Sequence, residues 1–465
     1  MAVWGIWLLI FLFGVIYSFF SLSVHLRFDT FAFDLGIYDQ IIWLASQSYP
    51  LFSSLLDYHA WGDHFTPSLF LLAPLYWLWD DVVILLLFQA FFTAFGAVPI
   101  FLLAKKKLRD DLIAFAITFA YLAFFGLQNA IAFDFHPIVL ATTFLAWLFW
   151  FYEEKKWFLF WLVLVMFVGL QENFTLTAVA LGIYFFLKNR NWKVGLMTSL
   201  FGIGWFLGAV LVVIPYFRGE PFLYLPSHWE ELGWLGVLGS LIYPWSKIQV
   251  IFFSFLAFGF LPLLAPVTWI LLFEEFFQRF VGSPSPNRWG LGFQYNAILA
   301  PILAVGAIGV VREYFQKRKK LVFFLLLGGV FLVQVLTNPS LNQFGHKEFY
   351  DFSGKQELEE VLALIPKEVS VGATNNLVPH LSHRRQIILL TNCLEDKTLW
   401  KEDMKRCFAL NPDYLVADFN PKGSSNNFYP DYSPELIKKY FEYLLKTGEY
   451  QLLKQQGTVS LLKKN

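Results

Sequence analysis

Two clusters of basic residues, KKKLR (105–109) and EEKK (153–156), enclose 43 residues that contain neither Lys nor Arg. As a single α-helix that stretch would extend roughly 65 Å at 1.5 Å per residue, about twice the thickness of a bilayer's hydrocarbon core. It must therefore cross an apolar layer twice and turn in between, near QNAIAFDFHP (128–137). This one constraint sets the class of the chain, a polytopic membrane protein, and the rest of the sequence can be threaded from it.

Composition agrees. Only 15% of the 465 residues are charged, against about 25% in a soluble domain, and apolar runs of eighteen or more residues recur. The net charge is zero, so no nucleic-acid partner is implied. The first run, residues 2–24, lacks a basic leader and a small-residue cleavage site and reads as a retained span. Cys393 and Cys407 are too few for a disulfide framework; a single pair or two free thiols are both compatible with the count.

Two further basic clusters, KNRNWK (188–193) and REYFQKRKK (312–320), complete a set of four. Short loops rich in Lys and Arg stay cytoplasmic, so the intervening turns fall on the outer face. Between Lys156 and Lys188 the midpoint is GLQENF, which puts Glu172 at an outer turn flanked by short or partly embedded helices. Residues 194–216 read as an outward span, and 248–277, interrupted by Pro262 and Pro266, as a hairpin of two short helices. Spans at 293–311 and 321–336 follow. In all, about 10–12 transmembrane or partly embedded helices are expected over residues 1–344, with residues 24–66 as a first outer loop.

From about residue 345 apolar density falls. EVSVGAT, RQIILL and DYLVAD read as short strands, and SPELIKKYFEYLLKTG as an amphipathic helix with Ser433 as N-cap and Pro434 at its first position. A closing hairpin turns near Gly457. Residues 345–465 are thus expected to form a small, soluble α/β domain outside the membrane. No internal repeat and no glycine-rich phosphate loop is present.

Four motifs fall on the expected outer face. FDLGIYDQ carries Asp34 and Asp39, about 140° apart on a helix and so not a paired-acid site; Asp34 reads slightly better as an N-cap than as a working group. In YHAWGDHFTP, His59, Asp63 and His64 are compatible with metal or phosphate binding, though a loop leading into a helix at Thr66–Pro67 is the simpler reading. In FDFHP, Asp134 and His136 would share a face if extended, and His136 also stands where it could cap the next helix. Glu172, the lone acid in an apolar stretch of 31 residues, is a functional candidate on depth alone.

FDLGIYDQIIW, DHFTPSLFLLAPLY, DFHP, QENF, FQYNAILAPI and VSVGATNNLVPHLSHRRQ, in that order, resemble a family of prokaryotic predicted membrane proteins, domain-of-unknown-function family 2079, over nearly the whole chain. The resemblance implies kinship with the GT-C superfamily, multi-spanning glycosyltransferases that use polyprenyl-phosphate-linked sugars on the non-cytoplasmic side. It implies an essential aspartate soon after the first span, a place held here by Asp34, with Asp39 as fallback. Where the family usually carries Lys-Glu-Asp this chain has Gln171, Glu172 and Asn173, so only Glu172 matches.

Such a transfer needs a base for the acceptor hydroxyl, here Asp34, and cations or a divalent metal for the leaving phosphate. Outer-face cations are Arg27, Arg218, Lys247, Arg279 and Arg288. Arg279 and Arg288 are favoured because their loop follows the proline-broken hairpin. His64, Asp134, His136 and Tyr295 join them as candidate substrate-binding residues. The partners expected are membrane lipid, a polyprenyl-phosphate-linked sugar, and a lipid, glycan or protein acceptor. A lipid or solute transporter using Glu172, Asp134 and His136 as a relay is the alternative, though the inverted repeats common in transporters are missing. A scaffold presenting the C-terminal residues is a third reading.

Overall fold

The KKKLR cluster shows how the sequence punctuates this fold. Arg109 takes a left-handed conformation (φ 50°) and ends the helix Ala97–Leu108, whose last turn holds Lys105, Lys106 and Lys107. Cations at that end complement the helix dipole. The Asp110 side chain then accepts from the Ile113 N–H at 3.0 Å and caps the next helix. The computed structural model describes residues 2–224, 229–281, 285–337, 350–390, 411–420 and 434–465; Cys393, Cys407 and Ser433 lie outside them.

Among the described residues five helices are long and apolar enough to cross a membrane: Trp4–Leu26, Val83–Leu108, Asp111–Phe133, Trp192–Arg218 and Lys319–Thr337. Two bent pairs, Gly233–Ser240 with Trp245–Leu256 and Asn287–Asn296 with Leu299–Tyr314, are broken spans or re-entrant segments. Four shorter apolar helices accompany them. The expectation of a mostly helical, many-membered membrane bundle holds.

The turn expected within residues 111–153 is present, between a candidate span and a shorter apolar helix of 17 residues. Helix Asp111–Phe133 stops at Phe133 and helix Pro137–Glu153 starts with Pro137 in its first turn. Buried backbone at such a turn must find partners. Gln89 supplies both, donating to the Asp134 carbonyl and accepting from the His136 N–H, each at 2.9 Å. His136 occupies the N-cap position, but its side chain makes no capping bond. Glu172 lies in the turn between helices Trp157–Val168 and Phe174–Asn189, of 12 and 16 residues, as short as the spacing demanded. The proline-broken hairpin is likewise seen, as helices Trp245–Leu256 and Trp269–Phe280 with 3-10 turns at Leu261–Leu264 and Pro266–Thr268 between them. One boundary differs. The span expected from residue 293 begins at Leu299, because Gln294–Asn296 form a 3-10 turn before a bend of 71°.

The chain divides into two compact units. The first takes Met1–Ser21, Trp61–Leu69 and Leu87–His346; the second takes Leu22–Ala60, Phe70–Leu86 and Lys347–Asn465. In the second unit β1 (Phe52–Ser53) and β2 (Tyr58–His59) form a short antiparallel pair, and β3 (Val371–Ala373), β4 (Ile387–Leu389), β5 (Tyr414–Asp418), β6 (Tyr450–Gln456) and β7 (Val459–Lys464) form a sheet of order β4-β3-β5-β7-β6. The pairs β3/β4 and β3/β5 are parallel; β5/β7 and β6/β7 are antiparallel. Strands β3, β4 and β5 are the segments read as strands from their apolar runs, and the β6–β7 hairpin turns at Gly457, whose φ of 53° suits glycine. Helix Pro434–Thr447 buries Ile437, Tyr440, Phe441 and Leu444 against one face of the sheet.

The other face is covered in part by the segment that follows the first helix. Phe28, Ala32, Ile37 and Leu55 share a core with Val371, Ala373, Val378, Ile387 and Val416. Hydrogen bonds fasten the same segment. Asn375 Oδ1 accepts from the Ala32 N–H at 2.8 Å, and Ser54 Oγ both donates to the Ile387 carbonyl and accepts from the Ile387 N–H, each at 2.8 Å.

Candidate functional site

In the first unit a cavity of about 280 Å³ is lined by His64, Glu172, Tyr224, Arg279, Arg288 and Tyr295, among others. Four of the sequence candidates, far apart along the chain, thus meet Glu172 in one space. His64 arrives on the short segment before the 3-10 turn Pro67–Leu72, Glu172 on its tight turn, and Arg279 on the last turn of helix Trp269–Phe280.

His64 Nδ1 lies 2.7 Å from Glu172 Oε1, and the Phe65 N–H donates to Glu172 Oε2 at 3.2 Å. Asp63 Oδ2 is 3.7 Å from His64 Nε2, and Tyr224 stacks on the imidazole at 4.8 Å while donating its hydroxyl to Asp63 at 2.8 Å. Burial disfavours the charged imidazole, but the Glu172 and Asp63 carboxylates outweigh it and lift His64 to about 9. His64 is therefore a cation at neutral pH.

The five cations singled out from the sequence separate by what already holds them. Arg27 pairs with Asp29 at 3.3 Å and Arg218 with Glu220 at 3.7 Å. Lys247 is buried and donates to the carbonyls of Ser240 and Phe280 at 2.7 and 2.8 Å. Arg279 is also buried, with Nη1 on Asn296 Oδ1 at 2.9 Å and Nε on the Glu275 carbonyl at 3.1 Å, yet its Nη2 has no hydrogen-bond partner. The Arg288 guanidinium rests over the rings of Tyr224 and Tyr295, 5.8 and 6.0 Å from their centroids, and no carboxylate pairs with it among the described residues. A buried guanidinium N–H without an acceptor is costly; the Glu275 and Glu274 carboxylates act on Arg279 electrostatically without hydrogen-bonding its Nη2.

Asp134 and His136 do not line it; they remain at the Gln89-held turn. They and Glu172, the residues of a transporter relay, therefore do not share one cavity.

Asp34 and Asp39 belong to the second unit. Asp34 is half-buried in a π-helical turn, Ala32–Gly36, that runs into helix Ile37–Ser46. The N-cap position is held by Phe31, so Asp34 is not the capping residue of this turn. Asp39 is fully buried and accepts from the hydroxyls of Tyr76 and Ser382. Its third neighbour is His383, whose Nε2 is 3.2 Å away and whose Nδ1 lies 2.7 Å from Asp80. Burial lowers the proton affinity of His383, and the two carboxylates raise it further than burial lowers it. Tyr76, Ser382 and His383 fall inside motifs quoted from the sequence but were not singled out as site residues; the polar run PHLSHRR, with two histidines and two arginines, was the available signal. No group of three or more His, Cys, Asp or Glu side chains positioned to hold a metal occurs among the described residues.

Two crystal structures of ArnT from Cupriavidus metallidurans have the same fold. The one bound to undecaprenyl phosphate aligns with a TM-score of 0.57 and 12% identity over 98% of each chain. The apo structure aligns with a TM-score of 0.58 and 12% identity over 99% of this chain and 98% of that one. No curated protein matches the sequence. The ArnT-type fold is the GT-C architecture that the ordered motifs led one to expect. Residues 24–460 match one protein family, and the chain belongs to it, the predicted membrane proteins of DUF2079.

Proposed function

We propose that this protein is a membrane glycosyltransferase that draws its sugar from a polyprenyl-phosphate carrier, with the cavity of the first unit receiving the carrier's phosphate. The observation that carries the reading is the pair Arg279 and Arg288. One has a buried N–H group without an acceptor, the other has no carboxylate partner, and both line one cavity. Support from the comparison is that a protein of the same fold was crystallised with undecaprenyl phosphate.

In the reaction, the acceptor hydroxyl oxygen attacks the anomeric carbon as the bond from that carbon to the phosphate oxygen breaks. The hydroxyl proton passes to a carboxylate base, and the phosphate leaves with the bonding electrons. Guanidinium groups that already face the phosphate stabilise the charge it gains without having to reorganise. His64, held as a cation by Glu172 and Asp63, adds a further positive donor to the same lining. Asp34 is the proposed base, on the family resemblance and on its half-buried place soon after the first span. The active side is the outer face, on the distribution of the four basic clusters.

The test is retention of undecaprenyl phosphate by the purified protein in nanodiscs, read by native mass spectrometry. Charge-assisted hydrogen bonds contribute about 1.5–3 kcal/mol each, so Arg279→Gln with Arg288→Gln should weaken retention by roughly a hundredfold or more. Retention equal to that of the unaltered protein would overturn the reading.

A further inference from the structure

Four helices of the first unit end side by side around a second cavity, of about 320 Å³, which shares no lining residue with the site above. They are Ala97–Leu108, Pro137–Glu153, Phe174–Asn189 and Leu299–Tyr314, and each brings a charged residue from its last turn or two: Lys107, Glu153, Lys188 and Arg312. The walls below are apolar and aromatic. Tyr152 and Phe185 stack there with centroids 3.6 Å apart, and Tyr184 and Phe149 are buried beside them.

The charges at the rim are unequally satisfied. Lys107 is ion-paired with Glu153, and Glu313 stands on the same rim next to Arg312. Lys188 and Arg312 have neither an ion pair nor a side-chain hydrogen bond among the described residues. Helix C-termini carry partial negative charge, which accounts for some cations here. It does not account for the open volume between them. Position 309, one turn before Arg312, is glycine and borders that volume; a Cβ there would meet only the Lys188 Nζ, at 3.8 Å. Beside the opening, helix Phe174–Asn189 exposes Ile183, Phe186 and Leu187, a surface suited to acyl chains.

We propose that this cleft is a binding site for an anionic glycerophospholipid, with the headgroup phosphodiester between Lys188 and Arg312 and the acyl chains along the exposed face of helix Phe174–Asn189. Basic pockets between membrane helices bind anionic headgroups on this physical basis. Two unpaired cations above aromatic walls suit a group that is charged at one end and apolar at the other. A soluble anion would use the cations alone.

The experiment is native mass spectrometry of the detergent-purified full chain with phosphatidylglycerol, phosphatidylcholine or inorganic phosphate as probe. A basic group near a membrane surface is worth roughly a fivefold gain for an anionic lipid. Lys188→Gln with Arg312→Gln should therefore lower phosphatidylglycerol retention about 25-fold, to the level of phosphatidylcholine. Both side chains are exposed, so the melting temperature without lipid should not change. Gly309→Leu, which fills the cleft and keeps both cations, should lower retention of phosphatidylglycerol as well. Equal retention of the two lipids by the unaltered protein would overturn the proposal, as would full retention in the double variant. Displacement of phosphatidylglycerol by millimolar inorganic phosphate would overturn it too, since the site would then be one for a free anion.

Discussion

Replacing Glu172 by Gln removes the charge that keeps His64 protonated while preserving the shape of the turn. In the folded protein His64 sits at about 9, against 6.5 for a free imidazole. The folded state therefore binds the proton more tightly than the unfolded chain does. The resulting stabilisation is complete below about pH 6.5, declines as pH rises, and is gone once the imidazole deprotonates near pH 9. Two and a half pH units correspond to about 3.4 kcal/mol, and with His64 still 16% exposed, about 2–3 kcal/mol is the better figure. In Glu172→Gln only Asp63, at 3.7 Å, remains to oppose burial, and most of that stability should be absent at pH 6. The assay is the rate at which diethyl pyrocarbonate modifies His64, located by peptide mass spectrometry, as a function of pH. Only the neutral imidazole reacts, so its midpoint reports the proton directly. The unaltered protein should show a midpoint near 9 and the variant one at or below 6.5. A midpoint near 6.5 in the unaltered protein would refute the assignment of His64 as a neutral-pH cation.

Three further outcomes are expected. Asp34→Asn should abolish sugar transfer while leaving the melting temperature within a degree or two, since losing a general base costs about 10²- to 10⁴-fold in rate. Asp39→Asn should instead lower stability by about 2–4 kcal/mol, because it faces three donors in a fully buried place; unchanged thermal unfolding would show that this cluster is not structural. Residues 347–465 expressed alone should aggregate or bind a hydrophobic dye, because Phe28, Ala32, Ile37 and Leu55 cover part of their core; a monomeric, dye-silent fragment would contradict this. With Cys393 and Cys407 replaced by Ser, a thiol reagent restricted to the outside should label Tyr58→Cys and not Arg190→Cys, and labelling of position 190 alone would invert the topology.

The elements of this fold were legible where a local rule applied. The turn at Asp134–His136 follows from chain length against bilayer thickness, and the strands from short apolar runs bounded by turn residues. The approach of His64 to Glu172 was not legible, because 108 residues separate them and neither segment has a periodicity that names a partner. The same holds for Asp39, whose partner His383 lies 344 positions on. Spacing alone kept Asp34 and Asp39 from being read as one acid pair, but it could not show that Asp39 is engaged by Tyr76, Ser382 and His383. Likewise Lys247 and Arg279 look alike as sequence. Only packing shows that two carbonyls hold the first and that the second keeps a donor without an acceptor.

The second unit is assembled from pieces that leave the ribosome far apart in time. About 260 residues separate Leu86 from Lys347. At 5–20 residues per second, the segments 22–60 and 70–86 wait roughly 13–50 seconds for the strands they pack against. During that interval Phe28, Ile37 and Leu55 have no sheet to cover, and Asp39 has neither Ser382 nor His383. A chain that stops early, or whose last hundred residues are damaged, cannot bury them. Completion of the unit thus reports that translation has passed the strands between Val371 and Lys464, and until then the earlier segments present an apolar surface with nothing to cover.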